Sequence, residues 1–459
     1  MEKMKLGVVA FSEPRDEMFA RHAARSEAAH KEGMDLLEQQ GIDVVSGGGL
    51  IRSTEDALKQ AAYLRSQNVE GVLAYLIGWT YPKFVVLATR MIDRPCAVLA
   101  ESAGSTFFAV SGSLAQIGRY HKRIVGALQN PAVLEKVVAF TRASTTAARL
   151  RGQTYGYFGG RALGMYTVMG DLAQIQQIFG VDIEHVDQLE IIREAEKLPE
   201  ERVERFMQWL EKNIGEIIYD GALVTREKIK LQIRGYLATK DLVKQHGFDF
   251  CGVKCQPELS DKWVNQCLTP TFMPDPMDAE GPKEPINCAC EVDHDGALSM
   301  QILKLVSGGL PSMLMDLMVD APNKRAKAFN CGGQCSWYAA RSDDPAENLK
   351  KIQLRPHVQG KAGGAALNYI VAPGRYTLAR LTRRNLKYRM HIIGCDFVVP
   401  EEPWPSRWTA GAYMDWSTVD CERFIQEFDA NHIHCVVGDY VEALMDFCRM
   451  IGIDCERYQ

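Results

Sequence analysis

The sequence predicts an α/β protein with two doubly wound parallel-sheet (Rossmann-like) subdomains followed by a β-rich C-terminal domain. A chain of 459 residues exceeds what one hydrophobic core usually organises. Short apolar runs alternate with polar, helix-like segments near the N-terminus, and this alternation is lost toward the C-terminus. We therefore expect α/β subdomains at residues 1–150 and 151–318 and a β-rich domain at residues 319–459.

Short apolar runs predict the strands of the N-terminal sheet, namely Lys5–Phe11 and residues 43–45, 72–76, 97–100 and 107–110. The spacing between most of these runs leaves room for a crossover helix, for example at residues 55–67. The functional groups of such sheets cluster beyond the carboxyl ends of the strands. The segments that contain Arg15 and Trp79 follow the first and third strands and are therefore candidate site loops.

Composition and charge exclude several classes of protein. The formal charge of −5 and the pI of 6.1 leave no basic surface for nucleic acid. No stretch approaches the ~18 apolar residues of a membrane span, and the run at residues 6–11 is too short for a signal peptide. Thirteen cysteines are an odd number in a chain without an export signal, so we expect reduced thiols in a cytoplasmic protein.

Later segments carry weaker signals. A glycine-rich turn at residues 159–164 favours a close approach of the backbone to a neighbour or ligand over a nucleotide-binding loop. Residues 200–212 are charged and helical. Strands of the C-terminal domain are predicted at residues 369–371, 391–395 and 434–437.

The densest chemistry in the sequence lies at Glu291, Asp293, His294 and Asp295, four ionisable side chains within five residues. An amphipathic run at residues 297–306 follows, so this segment is predicted to be a loop that opens a helix. Acidic groups are favoured at a helix N-terminus by capping and by the helix dipole. For Asp293 and Asp295, an acid-rich helix cap is therefore the alternative to a functional role.

Two further segments carry candidate metal ligands. Asp316 is a carboxylate within the apolar run at residues 310–319. Burying it is costly unless a positive group binds it, although an exposed strand edge is the alternative. In residues 431–434, alternation along a strand would put His432 and His434 on the same side. One of them is enough as a ligand, and the other can be a packing residue.

These segments resemble the metal-binding segments of the L-fucose isomerase family. Glu291, followed by an apolar helix, is similar to the first metal carboxylate of that family, and Asp316 lies 25 residues later, close to the family's interval. Asn431-His432 resembles the family's metal-histidine segment. L-Arabinose isomerase is more distantly similar around Glu291 and residues 310–316. The resemblance runs along most of the chain, although the chain is shorter than either classical enzyme.

The resemblance implies a metal-dependent aldose–ketose isomerase with Glu291, Asp316 and His432 as metal ligands. Mn²⁺ is the expected metal, with Mg²⁺ or Co²⁺ as alternatives, because carboxylates and one imidazole suit such cations. The metal would bridge O1 and O2 of an enediol intermediate while the two carboxylates act as general base and general acid. Which carboxylate takes the proton from C2 stays open.

The resemblance also implies six substrate-binding residues. Arg15 is similar in placement to an arginine near the substrate. Trp79 is similar to an aromatic residue that reaches into a neighbouring subunit's sugar site, with an ordinary core or interface tryptophan as the alternative. The remaining candidates lie in segments that match the family's in position, and they are Arg161, Lys254, Gln256 and Asn431.

The sugar itself stays open among L-fucose, D-arabinose and L-arabinose. Arg161 and Lys254 add positive charge, which motivates a second hypothesis of an anionic aldose such as sulfoquinovose. Solvent-facing basic side chains are the alternative. Family members form closed homo-oligomers, commonly hexamers, with active sites at subunit contacts, and we expect the same here.

Two other classes of protein compete with an isomerase. A metal-thiolate or redox protein could use three close cysteine pairs, whose spacing is however not that of a zinc ribbon. These pairs are Cys251 and Cys255, Cys288 and Cys290, and Cys331 and Cys335. Reduced cysteines are also commonly buried as small hydrophobic residues. A non-catalytic sugar-binding protein is the other class, and the presence of both acids and the histidine disfavours it.

Overall fold

A computed structural model describes residues 2–400 and 409–459, which divide into two compact units. Unit 1 contains residues 2–149 and 442–452, and unit 2 contains the described part of residues 150–441 together with residues 453–459. Within these residues, no helix is both long and apolar enough to cross a bilayer. The separation of residues 151–318 from residues 319–459 as domains stays a prediction.

Unit 1 is built on a five-stranded parallel sheet. Its strands are β1 (Lys5–Phe11), β2 (Asp43–Ser46), β3 (Gly71–Leu76), β4 (Cys96–Ala100) and β5 (His121–Val125). Its helices are α1 (Asp16–Ala20), α2 (Ala23–Glu38), α3 (Thr54–Ser66), α4 (Pro82–Ile92), α5 (Ser105–Gln116), α6 (Pro131–Leu150) and α16 (Val441–Ile451). The strand order β2-β1-β3-β4-β5 and an apolar cluster on each face confirm the doubly wound sheet.

One predicted strand of unit 1 is wrong. Residues 107–110 belong to α5, where Phe107 and Val110 are buried at helical spacing. A four-residue apolar run cannot distinguish a buried helix from a strand. The fifth strand is β5, which the sequence does not reveal because Lys122 and Arg123 interrupt its apolar pattern. Lys122 is nevertheless buried, because its ammonium group pairs with Asp446 of α16.

Unit 2 contains a second parallel sheet with strand order β12-β9-β6-β7. In chain order, these strands are β6 (Thr154–Phe158), β7 (Asp182–Val186), β9 (Phe250–Val253) and β12 (Cys288–Cys290). The helices of this region are α7 (Leu172–Phe179), α8 (Gln188–Lys197), α9 (Glu200–Asn213), α10 (Arg226–His246), α11 (Glu258–Lys262), α12 (Leu268–Phe272) and α13 (His294–Val306).

The β-rich part of unit 2 is a closed barrel. Its strands are β13 (Met313–Asp320), β14 (Arg325–Asn330), β17 (Gly374–Arg384), β18 (Lys387–Val398), β19 (Thr409–Asp415) and β20 (His432–Val437). They pair in the ring order β17-β20-β13-β14-β19-β18, and β18 pairs back to β17. Together with the two parallel sheets, this ring confirms the predicted fold class. β13 spans residue 318, the predicted domain boundary.

The remaining elements of unit 2 are short. They are β8 (Glu216–Ile217), β10 (Met277–Asp278), β11 (Gly281–Pro282), β15 (Gln353–Pro356), β16 (Ala365–Asn368), β21 (Asp454–Arg457), α14 (Pro345–Leu349), α15 (Cys421–Glu427) and the 3-10 helices Ala321–Asn323 and Ser336–Ala339. The predicted strands at residues 391–395 and 434–437 lie in β18 and β20. The predicted strand at residues 369–371 is wrong, because β16 ends at Asn368 and only Ile370 makes an isolated bridge, to Gly411.

Helix α13 differs from its predicted amphipathic pattern, since every one of its residues is buried. The helix packs against β9 and β12 of the parallel sheet and against β17 and β20 of the barrel. Its polar side chains therefore need partners inside the protein. Asp295 accepts hydrogen bonds from Arg383 (Nε–Oδ2, 2.8 Å) and from the Tyr388 hydroxyl (2.8 Å). The N-terminus of α13 is thereby fixed between the sheet and the barrel.

Candidate active site

The barrel register brings the second predicted carboxylate to the predicted histidine. Strands β13 and β20 are antiparallel neighbours, and Asp316 is the direct partner of His432. Side chains at directly opposed positions lie on the same face of a sheet. Asp316 Oδ1 lies 3.7 Å from His432 Nε2.

The first predicted carboxylate reaches the same histidine from the parallel sheet. Glu291 follows β12 directly and precedes α13, and its Oε2 lies 3.3 Å from His432 Nε2. Glu291 and Val292 have φ angles of +59° and +57°. Residues other than glycine rarely adopt this left-handed backbone conformation, and for a β-branched valine it is a genuine outlier. Such backbone strain clusters at functional sites, where the surrounding structure enforces it.

Asp293 supports the histidine from its other side. Asp293 Oδ2 lies 2.7 Å from His432 Nδ1 and 2.5 Å from Nη1 of Arg380 on β17. Its Oδ1 accepts a hydrogen bond from the Gly296 backbone N–H (2.8 Å), so Asp293 is also the N-cap of α13. The sequence indicated the cap but not the contact with His432. Arg380 had no local signal, because its partner lies 87 residues away.

Burial and neighbouring charges shift the acidities of this cluster. Burial raises the pKa of Asp316 to about 6. Burial acts to lower the pKa of His432, but hydrogen bonds with Asp293 and Glu291 outweigh it and raise that pKa to about 10. Burial likewise opposes the ionised form of Asp293, yet Arg380 and His432 hold its pKa well below the ordinary value. Asp293 is therefore a permanent carboxylate that hydrogen-bonds to the imidazole.

A cavity of 530 Å³ opens beside Glu291 and Asp316. Polar side chains of Gln256, Gln359 and Asn431 line it together with the two acids. Its other lining residues are mainly apolar, and they are Leu163, Met165, Leu317, Val319, Phe329, Cys331, Phe424, Ile425, Phe428 and Ala430. A mostly apolar pocket with a few convergent polar groups is typical of a small-molecule site.

Sequence models of two L-fucose isomerase domains match this chain. The model of the first N-terminal domain matches residues 3–152, and the model of the C-terminal domain matches residues 328–458. Together they cover more than half of the chain. The chain belongs to the L-fucose isomerase family. The chain is therefore an aldose–ketose isomerase, as its family and its sulfoquinovose isomerase relatives indicate.

Three relatives are sulfoquinovose isomerases. The protein from Alkalicoccus urumqiensis is 26% identical over 265 residues, which is 57% of this chain and 55% of that protein. In that alignment, the chain spans about half the length of the relative. The proteins from Priestia aryabhattai and Priestia megaterium (strain ATCC 12872 / QMB1551) are each 20% identical over 451 residues, which is 94% of this chain and 95% of those proteins.

A solved structure with a bound sugar aligns only weakly with this isomerase. It is an ABC transporter periplasmic solute-binding protein from Actinobacillus succinogenes 130z with bound D-allose. The alignment covers 56% of this chain and 80% of that chain at 9% identity, with a TM-score of 0.18. A score this low does not indicate a common fold.

Four of the six predicted substrate-binding residues belong to unit 2, and two of these four line the cavity. Gln256 and Asn431 line the cavity beside the acids. Lys254 instead forms an ion pair with Glu258 (Nζ–Oε1, 2.7 Å). Arg161 is exposed, and its guanidinium carbon lies 5.1 Å from the centre of the Tyr166 ring. Neither basic side chain is among the described residues that line this cavity.

Arg15 and Trp79 lie in unit 1, at the carboxyl end of its parallel sheet. The guanidinium carbon of Arg15 lies 4.8 Å from the centre of the Trp79 ring, and Arg15 also pairs with Glu13 (Nε–Oε1, 2.7 Å). Trp79 and Glu13 line a separate cavity of 390 Å³ together with His22 and Arg25. The two candidate loops of unit 1 thus meet each other, as the rule for parallel sheets predicts.

His434 does not reach the two acids. It is fully buried two residues beyond His432, and its Nε2 lies only 2.8 Å from the point where a Cβ on Gly296 would stand. Burial lowers its pKa well below the ordinary value. His434 is therefore a packing residue against α13, and His432 faces the carboxylates.

The cysteines pair differently from their order in the sequence. All thirteen are free thiols. Cys251 and Cys288 are register partners on neighbouring strands, whereas Cys290 lies near Cys331 in the turn after β14. Cys290 and, to a smaller extent, His357 lower the pKa of the Cys331 thiol, although burial acts to raise it. Among the described residues, no group of three or more His, Cys, Asp or Glu side chains is arranged closely enough to hold a metal ion without some movement.

Proposed function

We propose that this isomerase is metal-dependent and moves a proton between C1 and C2 of an aldose through an enediol. The observation that carries the proposal is the convergence of Glu291, Asp316 and His432 beside one cavity. Three segments that are distant in sequence and belong to two different sheets supply these side chains. The left-handed backbone at Glu291 adds support, since such strain is kept where function requires it.

The three side chains suit a hard divalent cation, and we propose Mn²⁺, with Mg²⁺ or Co²⁺ as alternatives. Carboxylates and one imidazole are suitable ligands for these ions. Among the described residues, neither Glu291 nor Asp316 forms an ion pair with a lysine or an arginine. The separations of 3.3 and 3.7 Å from His432 Nε2 are within an ångström of the roughly 3 Å expected between neighbouring ligands of an octahedral cation.

The protein's own residues would hold the sugar and move the proton. A divalent metal, when bound, polarises the sugar oxygens and stabilises the negative charge of the enediol. Glu291 and Asp316 exchange the proton with C1 and C2. Burial raises the pKa of Asp316 to about 6 in the metal-free protein, and a bound cation would favour its ionised form, which can take up a proton. The imidazole of His432 would give up its Nε2 proton when it binds a cation, and Asp293 would hold the remaining proton on Nδ1.

Removal of the metal and of one carboxylate tests this function. Treatment with EDTA should abolish turnover, and Mn²⁺ should restore it. Glu291→Gln should abolish turnover in the presence of Mn²⁺ while calorimetry still detects sugar binding. Glu347→Gln, which alters an exposed carboxylate paired with Lys350, is the matched control and should keep full activity. Substantial isomerase activity in Glu291→Gln would contradict the mechanism.

A neutral aldose such as L-fucose, D-arabinose or L-arabinose is the first candidate for the substrate. The cavity lining beside the acids contains apolar side chains and neutral amides, with no lysine or arginine among the described residues. Apolar surfaces such as those of Phe329 and Phe428 can pack against the C–H faces of a sugar, while Gln256 and Asn431 can hydrogen-bond its hydroxyls.

A sulfonated aldose is the second candidate, because the three relatives are named sulfoquinovose isomerases. A sulfonate needs cationic partners, such as Arg161 or Lys254 after a rearrangement, or residues of another subunit. Turnover of sulfoquinovose should be compared with that of L-fucose and D-arabinose at equal concentrations. A preference for sulfoquinovose selects this candidate, and equal or better turnover of the neutral sugars excludes it.

We also propose that the enzyme acts as a cytoplasmic homo-oligomer, namely a hexamer with active sites at subunit contacts. Arg15 and Trp79, which lie together in unit 1, would then complete the sugar site of a neighbouring subunit. Light scattering should give the mass of six copies of the 51.3-kDa chain. Trp79→Ala should raise KM without preventing assembly. A monomeric protein with full activity would contradict this arrangement.

A further inference from the structure

The segment that follows β6 carries one basic side chain next to the lining of the isomerase cavity. Leu163 and Met165 of this segment line the cavity, and Leu163 is 54% exposed, so this part of the lining lies at the opening to solvent. Arg161 precedes Leu163 by two residues. Its guanidinium carbon lies 5.1 Å from the centre of the ring of Tyr166, which directly follows Met165. Arg161 is therefore close to the lining without being part of it.

The end of this segment nearest α7 is fixed to the rest of unit 2. Arg380 Nη2 donates a hydrogen bond to the carbonyl oxygen of Thr167 (3.0 Å), and the backbone N–H of His294 donates to that of Val168 (2.9 Å). The Gly170 N–H donates to His294 Nδ1 (3.2 Å). These contacts attach the segment to β17 and α13, so that it keeps a defined position beside the cavity.

The part of the segment beside Arg161 is a tight turn. The Met165 N–H donates a hydrogen bond to the carbonyl oxygen of Ala162 (3.0 Å), and Leu163 and Gly164 have φ angles of +48° and +73°. A left-handed leucine is uncommon, and such backbone strain clusters where ligands are held. Ala162 is fully buried and anchors the turn, whereas Arg161 is exposed. The Arg161 side chain can therefore change its rotamer while the backbone stays in place.

The positive charge of Arg161 is not neutralised by an acidic neighbour. Among the described residues, no carboxylate forms an ion pair with it, and its contact with the Tyr166 ring is weak at an exposed site. Lys254, by contrast, is paired with Glu258 at 2.7 Å. A guanidinium group binds a sulfonate or a phosphate through two parallel hydrogen bonds. Arg161 is thus available for an anionic ligand.

We propose that Arg161 is a specificity-determining residue, whose guanidinium group turns from Tyr166 to the cavity opening and pairs with a sulfonate or phosphate on the substrate. A sugar whose C1 and C2 lie at Glu291 and Asp316 can extend toward Leu163, because all three residues line one cavity. Arg161 then supplies the cation that the lining lacks. The inference rests on the proposed function and gives its second candidate, an anionic aldose, a specific binding partner.

Steady-state kinetics in the presence of Mn²⁺ test this role. The wild type should convert sulfoquinovose or D-glucose 6-phosphate with a higher kcat/KM than D-glucose, which has a hydroxyl in place of the anionic group. The two anionic sugars distinguish a sulfonate from a phosphate. Arg161→Gln should raise KM for the anionic sugar by about tenfold or more, with little change in kcat, because a charge-assisted hydrogen bond is lost.

Two variants separate a specific contact from a general effect of charge. Arg161→Lys keeps the charge but not the paired hydrogen bonds, so it should restore part of the affinity that Arg161→Gln loses. Arg193→Gln removes an arginine that is 59% exposed and lies 3.7 Å from Glu190, and it is the matched control. It lowers the net charge by the same amount and should leave KM for the anionic sugar unchanged.

Binding gives a measurement that does not depend on turnover. Calorimetry on Glu291→Gln, with and without Arg161→Gln, should show that the loss of Arg161 weakens sulfoquinovose binding about tenfold or more. Added salt should weaken this binding in Glu291→Gln, because it screens an ion pair at the cavity opening.

Two outcomes would overturn the proposal. Arg161→Gln and Arg193→Gln could change KM for the anionic sugar equally, or the wild type could convert a neutral aldose while it neither binds nor converts either anionic sugar. In the second case, the proposed function stands without this inference. If no aldose is converted but sulfoquinovose binding still depends on Arg161, the proposed function fails while Arg161 remains the anion-binding residue.

Discussion

Replacement of Asp293 by asparagine tests whether Asp293 supports His432. The two proposed proton-transfer groups, Glu291 and Asp316, stay unchanged in this variant. Asp293 is fully buried, and its Oδ2 contacts His432 Nδ1 at 2.7 Å and Arg380 Nη1 at 2.5 Å. Asparagine keeps the volume but removes the charge. Its amide can also donate to Nδ1, which would move the imidazole proton to Nε2, the nitrogen that faces Glu291 and Asp316.

The structure sets the size of two separate effects. The carboxylate partner of a metal-binding histidine typically contributes 10- to 100-fold, so the apparent affinity for Mn²⁺ or kcat/KM should fall by about that factor. Arg380 keeps its hydrogen bond to the Thr167 carbonyl oxygen (3.0 Å) but loses its buried anion. Breaking a buried ion pair from one side costs about 3–5 kcal/mol in the free energy of unfolding.

Asp295→Asn is the matched control. Asp295 is equally buried, lies in the first turn of the same helix and pairs with Arg383 at 2.8 Å, but it is not a partner of His432. Its replacement should leave metal activation unchanged. The assay is activity against Mn²⁺ concentration after EDTA treatment, normalised to the folded fraction from circular dichroism. If the two variants show the same metal dependence, Asp293 is only a structural partner and the reasoning is refuted.

Two further predictions concern pH and stability. Because burial raises the pKa of Asp316 from 3.8 to about 6, the metal-free protein should lose stability as the pH rises between these values. Asp316→Asn should therefore have a higher Tm than the wild type at pH 8 and the same Tm below pH 4, and a gap independent of pH would argue against this. Lys122→Met should lower the free energy of unfolding of unit 1 by about 3 kcal/mol, because Asp446 stays buried and Arg449, at 3.5 Å, is then its one cationic partner among the described residues. Arg25→Ala, which breaks an exposed pair with Glu101 (3.6 Å), should cost less than about 1 kcal/mol in the same urea titration, and equal losses would contradict the burial argument.

Features that depend on neighbours in the sequence were predictable from the sequence. The strand at Lys5–Phe11 and the helix that starts after Asp293 follow from hydrophobic pattern and capping, which act over a few residues. The segment at Glu291 was singled out by its density of charge, and Asp316 by the cost of a carboxylate in an apolar run. The family resemblance was also visible in these segments.

Contacts between residues that are distant in the sequence were decided only by the tertiary structure. The register of β13 and β20 sets Asp316 opposite His432, and a register shift of one residue would turn Asp316 to the other face. Arg380 reaches Asp293 across 87 residues, and no local pattern marks it. Lys254, a predicted substrate residue, forms an ion pair with Glu258, which no local pattern indicated.

The apolar run at residues 107–110 shows the same limit within the fold. Its composition suits either a strand or a helix, and the packing of Phe107 and Val110 in unit 1 selected the helix. The sequence by itself thus determined which residue types and local elements were available for an isomerase site. The tertiary structure decided which of them meet, because contacts between distant residues depend on strand register and packing, which a local pattern does not encode.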